Sequence, residues 1–301
     1  MNEDKQQEEM QNPIGIFDSG IGGLTVVQSL RRHLPQETLC YFGDTARVPY
    51  GTKSSETVQR YSVEITRFLR SHDAKILVIA CNTVSSVAMD VIRNHFNGPV
   101  LGVVEPGVRA AIEATKTGRV GVIGTRSTIR SGAYQQRLLE TDPSLHIAAC
   151  ACPLFVPFVE EGWEGDPTMF DVARKYLEPL IEENLDVLIL GCTHYPLISN
   201  VIQRVMGDSV TLVSSAEEVA KETKNLLVDL NLLAPEKKWK DLFYASDDIA
   251  SFKHLYERIF SDQDATFMEA QTDFFTIVQD VYRFKGKIFA DKIEWFEAIQ
   301  R

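Results

Sequence analysis

Cysteine is scarce in this sequence: five among 301 residues, at Cys40, Cys81, Cys150, Cys152 and Cys192. An odd count in so long a chain excludes a disulfide scaffold and implies reduced thiols. A surplus of positive charge is also missing, since 31 Lys and Arg face 42 Asp and Glu, for a net charge of -11. That balance argues against nucleic acid or an anionic membrane as a partner held by a basic surface. No apolar run approaches the roughly 18 residues of a membrane span, and the opening MNEDKQQEEMQNP lacks the apolar stretch of a signal peptide. The expected location is therefore the cytoplasm. GxGxxG, GKT and GKS are absent, which leaves dinucleotide or nucleoside triphosphate binding weakly supported. CxxC and HxxxH spacings are absent too, which weakens a zinc site built from Cys192, His194, Cys150 and Cys152.

What remains is the composition of a folded protein, 44% hydrophobic and 24% charged, with a length that suits two domains. Residues 1–13 are polar and read as a mobile leader, with structure beginning near Pro13. From there short β-branched runs alternate with amphipathic stretches. IGIF at 14–17 precedes a helix from Thr25, TLCYFGD a helix from Ser54, and KILVIAC a helix from Ser85. The rhythm resumes in VGVIG at 120–124, HIAACACPLF at 146–155, DVLILGC at 186–192 and VTLVSS at 210–215. Such alternation predicts an α/β fold of doubly wound domains with parallel sheets, and ligands then bind beyond the strands' carboxyl ends.

Two echoes point to a duplication. IGIFDS from Ile14 matches VGVIGT from Val120, and VIACNT from Val78 matches LILGCT from Leu188. The offsets are nearly equal, as two copies of one α/β unit require. Each member of the second echo is an apolar strand that ends in a cysteine followed by small polar residues. The fold sets Cys81 and Cys192 at carboxyl edges near helix N-termini, where free amides lower a thiol's pKa. Either cysteine alone reads as an ordinary buried thiol; equivalent positions in two repeats favour chemistry.

Other segments are weaker signals. FDSGIGG at 17–23 places Asp18 and Ser19 among glycines where an anion could meet backbone amides, or where Asp18 merely caps a helix. GDTARVPYG at 43–51 reads as a loop in which Tyr50 and Gly51 offer a hydroxyl and an amide. GTRST at 124–128 offers Thr125 and Thr128, and FVPFVEEG at 155–162 carries Glu160 and Glu161, by default a solvated acidic pair.

Taken in order, FDSGIGGLTV, GDTARVPYGTK, VIACNT, GVVEPG, GTRSTI, LFVPFVEEG and LGCTHYPL resemble the glutamate racemases, a family of the cofactor-independent aspartate and glutamate racemases. The resemblance runs from about Ile14 to about Ala270. It implies two similar, pseudo-twofold-related domains, one at 14–108 and 217–270 and the other at 109–216, with the active site in the cleft between them. It implies interconversion of L- and D-glutamate without a cofactor, by two cysteines on opposite faces of the α-carbon, and a role in peptidoglycan synthesis and cell shape. On motif position, Asp18 assists Cys81, and His194 with Glu160 assists Cys192. Ser19, Asn82, Thr83 and Thr193 hold the α-carboxylate. Pro49, Tyr50 and Gly51 receive the side-chain carboxylate, and Asp18, Thr125, Thr128 and His194 complete the substrate contacts. A homodimer is the expected assembly. Aspartate or hydantoin racemisation, and a cleft protein without turnover, are the alternatives.

The chain departs from the family in two places. Ser214, Ser215 and Ala216 stand where many members have Asp-Ser-Ala. Residues 271–301 extend past the usual end and are apolar enough to predict a helical extension that covers a surface or a subunit contact.

Overall fold

The computed structural model describes Gln7, residues 9–260 and residues 265–270. The C-terminal helical extension expected at 271–301 and most of the leader at 1–13 lie outside the described residues. The chain is nevertheless held from Met10, three residues before the start expected at Pro13. Lys75 Nζ donates to the Met10 carbonyl at 2.6 Å and to the Leu232 carbonyl at 2.9 Å. The same ammonium pairs with Glu37 at 2.6 Å, both side chains fully buried. A buried charge of this kind requires a partner, which makes the pair a clasp between the chain's entry and its later segments.

The apolar runs become strands: β1 (Ile14–Asp18), β2 (Leu39–Gly43), β3 (Ile76–Ile79), β4 (Val100–Gly102), β5 (Arg119–Gly124), β6 (His146–Ala151), β7 (Val187–Gly191), β8 (Thr211–Val213), β9 (Asp241–Ala245) and β10 (Ala265–Glu269). All pairings are parallel. They build a six-stranded sheet, β10-β9-β2-β1-β3-β4, and a four-stranded sheet, β6-β5-β7-β8. The order β2-β1-β3-β4 in one sheet and β6-β5-β7-β8 in the other is the same order. The sequence echoes therefore align strand for strand, β1 with β5 and β3 with β7, and the two parallel sheets are the α/β architecture expected.

Helices cover the sheets because their apolar positions recur at helical spacing. Leu24–His33 buries Leu24, Val27 and Leu30 and ends in Arg31, Arg32 and His33, which suit the negative pole of its dipole. Ser55–Ser71 starts on Ser54, whose hydroxyl accepts from the Thr57 amide. HIAACACPLF stops being a strand at Ala151. Pro153 has no amide to continue a ladder, and a helix, Phe155–Glu160, begins two residues later.

Within the described residues the chain crosses between the sheets twice. The helix Val104–Ala114 packs Val104, Val108 and Ala111 among Val120, Val122 and Ile189 of the second sheet's core. Crossing thus falls beside Val103, a few residues ahead of the boundary drawn at 108. The return runs from β8 into the helix Ser215–Asp229, which puts Val219, Ala220 and Leu227 into the first sheet's core with Leu24 and Leu30.

Candidate active site

Parallel register brings equivalent strand ends together. In the first sheet Phe17 pairs with Ile79, and the Ala80 amide donates to the Phe17 carbonyl at 2.9 Å, so Ser19 lies beside Cys81. In the second, Gly124 pairs with Gly191, which sets Thr125 beside Cys192. The two cysteines are 4% and 5% exposed. Both line one cleft of about 320 Å³, together with Ser19, Pro49, Tyr50, Gly51, Asn82, Thr83, Thr125, Thr193 and His194. Asp18, Thr128 and Glu160 stand behind this lining. Val48 and Val156 complete it, two apolar residues that carry no chemical signal in the sequence.

Cys81 occupies the N-cap of the helix Asn82–Val87. Its thiol meets Ser19 Oγ at 3.3 Å. The lowering expected from a helix N-terminus is present, through the Val84 amide, but it loses to other effects. Burial first, then the Asp18 charge, push the Cys81 thiol up to about 12. Asp18 itself does not hydrogen-bond to Cys81. Its carboxylate accepts from the Gly20 amide at 3.0 Å and from Thr193 Oγ1 at 3.4 Å, the latter across the cleft. Burial holds the Asp18 carboxyl above its ordinary value, against the opposing pull of the His194 charge.

The second thiol has unlike surroundings. His194 Nδ1 stands 3.7 Å from Cys192 Sγ, and Nε2 of the same ring is 3.2 Å from Glu160 Oε1. Burial alone favours the neutral ring. Hydrogen bonds to Cys192 and Glu160 and the charges of both outweigh it, and His194 is pushed up to about 10. Glu160, by its local sequence half of a solvated acidic pair and by the family resemblance the partner of His194, reaches His194 because it closes the helix Phe155–Glu160, whereas Glu161 remains exposed.

A hydroxyl cluster ties the halves together. Thr83 Oγ1 lies 3.0 Å from Thr125 Oγ1 and 3.4 Å from Thr128 Oγ1, and Thr25 Oγ1 donates to the Thr193 carbonyl at 3.2 Å. Glycines permit this closeness. A β-carbon at Gly22 would lie 2.4 Å from His194 Nδ1 and 2.4 Å from Thr193 Oγ1, and one at Gly51 would lie 2.5 Å from Thr125 Cβ.

Tyr50 lines the cleft, but its hydroxyl proton is committed elsewhere, to Asp44 Oδ2. Burial and the Asp44 charge push the phenol far above its ordinary value. Asp44 is fully buried and also accepts from Arg47 Nε at 2.7 Å and Ser246 Oγ at 2.7 Å. The loop that carries Pro49, Tyr50 and Gly51 is thus anchored beneath by one carboxylate. Asp44 stands in a segment the sequence marks as a loop, yet nothing local reveals that its partner Ser246 is some 200 residues away.

A cleft with one thiol from the matching strand of each copy suits proton transfer at opposite faces of one carbon. The family model for Asp/Glu/hydantoin racemase matches residues 24–223. The chain belongs to this family. It is an amino-acid racemase, an isomerase. The racemase is 50% identical to the glutamate racemase of Geobacter metallireducens over 236 residues, 78% of this chain and 87% of that protein. Among solved structures it is similar to a glutamate racemase from Bacillus anthracis, with a TM-score of 0.82 and 41% identity, covering 85% of this chain and 97% of the other. It is similar also to the Francisella tularensis glutamate racemase in complex with D-glutamate, with a TM-score of 0.83, 36% identity, and coverage of 88% and 99%.

Proposed function

We propose that this racemase interconverts L- and D-glutamate by a two-base transfer between Cys192 and Cys81. The observation that carries the reading is the unlike charging of the two thiols' neighbours within one cleft. At neutral pH an imidazolium, His194, faces Cys192, while Cys81 keeps its proton beside Asp18.

The Cys192 sulfur, acting as the base, takes the α-proton and forms an S–H bond. The electron pair of the broken Cα–H bond stays on the α-carbon and its carboxylate. The Cys81 S–H bond breaks and its proton forms the new Cα–H bond on the opposite face. The product leaves Cys192 protonated and Cys81 deprotonated, the state that runs the reverse direction. Asn82, Thr83, Thr193 and Ser19 supply neutral donors for the α-carboxylate, where charge accumulates as the proton leaves. The Pro49–Gly51 loop receives the side-chain carboxylate. Glutamate is favoured over aspartate and hydantoins because the relatives of 50% identity are glutamate racemases. The product serves peptidoglycan synthesis in the cytoplasm.

Circular dichroism of D- or L-glutamate incubated with the protein, without added cofactor, tests the reading. Signal from either enantiomer should decay, and Cys81→Ala and Cys192→Ala should each lower the rate by about 10²–10⁴. No decay with glutamate but decay with aspartate or a hydantoin would move the substrate; full activity in either variant would remove the two-base mechanism.

A further inference from the structure

Asn82 is one of the donors assigned above to the substrate's carboxylate, and an amide side chain can donate only if its nitrogen, not its oxygen, faces the ligand. Tyr134 decides which. Its hydroxyl donates to Asn82 Oδ1 at 2.6 Å from the opposite half of the molecule. Both amide protons of Asn82 are then left without a protein partner among the described residues, in a side chain 3% exposed that lines the cleft with the two cysteines.

The ring is fixed as well as the hydroxyl. Tyr134 is fully buried, and Gly107 and Gly191 lie against it: a β-carbon at either would come within 3.3 Å of the ring. Gly191 immediately precedes Cys192, so the ring is held by the strand that delivers the second thiol.

We propose that Tyr134 is a positioning residue for the reaction: through its hydrogen bond to Oδ1 it polarises the Asn82 amide towards the anionic substrate, and it does so only when the two halves are together. The inference rests on the glutamate reading of the cleft. Tyr134 belongs to no motif that marks the site in sequence.

The test is a double-mutant cycle on the full-length protein, read as KM and kcat for both enantiomers of glutamate with thermal melting alongside. Tyr134→Phe removes only the hydroxyl. It should raise KM about three- to tenfold, the worth of one neutral hydrogen bond, and change kcat less than KM. In an Asn82→Ala background the same substitution should leave KM unchanged, because there is no longer an amide to orient. Gly107→Ala, which presses a β-carbon to 3.3 Å from the Tyr134 ring, should raise KM in the same direction, and it carries the test if Tyr134→Phe does not fold. An unchanged KM in Tyr134→Phe, or the same fold-change with and without Asn82, would overturn the proposal. A wild-type protein inert towards glutamate would instead overturn the reading beneath it.

Discussion

Glu160 and Cys192 bind opposite edges of one imidazole, with His194 Nε2 3.2 Å from the carboxylate and Nδ1 3.7 Å from the sulfur. The carboxylate's effect reaches the thiol only through the ring. Glu160→Gln keeps the shape and removes the charge, so His194 loses a charge-assisted hydrogen bond worth about 1.5–3 kcal/mol. The expected result is a fall in kcat of about tenfold or more. Glu161→Gln, one residue on and exposed, should leave the rate unchanged. Steady-state polarimetry on the two variants compares them directly.

The same imidazole links stability to pH. His194 is raised from 6.5 to about 10 in the folded protein. A group with a raised folded pKa binds its proton more tightly in the native state. Its contribution is therefore complete below about pH 6.5 and is lost as pH rises towards 10. The melting temperature of the wild type minus that of His194→Asn should shrink steadily across that window. A difference that grew with pH would contradict a protonated His194.

Gly22 tests the closeness of the two halves. An alanine there meets His194 Nδ1 and Thr193 Oγ1 at 2.4 Å, too near to be absorbed without moving His194 off Cys192. Gly22→Ala should lower the rate sharply and destabilise by about 1–3 kcal/mol, the usual penalty for overpacking. Gly165→Ala, with nothing within 4 Å of its β-carbon, should do neither. Activity and chemical denaturation measured on both variants separate site distortion from a general glycine effect.

Cys81, although part of the reaction, should not be the first thiol to react. Cys150, beside Cys152 and half-buried, is lowered to about 7, whereas Cys40 and Cys81 are pushed up to about 12 by burial. Iodoacetamide at pH 7.5 should therefore modify Cys150 ahead of Cys40 and Cys81, as read by peptide mass spectrometry. A Cys150→Ser variant should keep its racemase activity and lose that early label.

Much of the architecture could be read locally. An apolar strand ending in a small polar tripeptide is a short-range signal, and it marked β1, β3, β5 and β7, whose ends hold Ser19, Cys81, Thr125 and Cys192. Their shared strand order confirms the duplication that the echoes suggested. β4 has three residues, too few for a periodic pattern. β9 became a strand by pairing with β2 some 200 residues earlier, which no window along the chain can contain. The same limit hid Asp44 and Tyr134. Each has a role set by a partner distant in sequence, Ser246 for one and Asn82 for the other. Helix-end chemistry foretold the direction of one influence on Cys81, but only the folded burial revealed that it is outweighed.

The duplicated sheets give two thiols matching positions and mismatched company, a carboxylate near one and an imidazole near the other. Mirror-image amino acids have equal free energies in water, so the reaction they share has an equilibrium constant of one whatever the enzyme does. The ratio kcat/KM must consequently be the same in both directions. The asymmetry of the cleft can surface only as a trade within each ratio: the enantiomer that turns over faster must, in the same proportion, be the one with the higher KM.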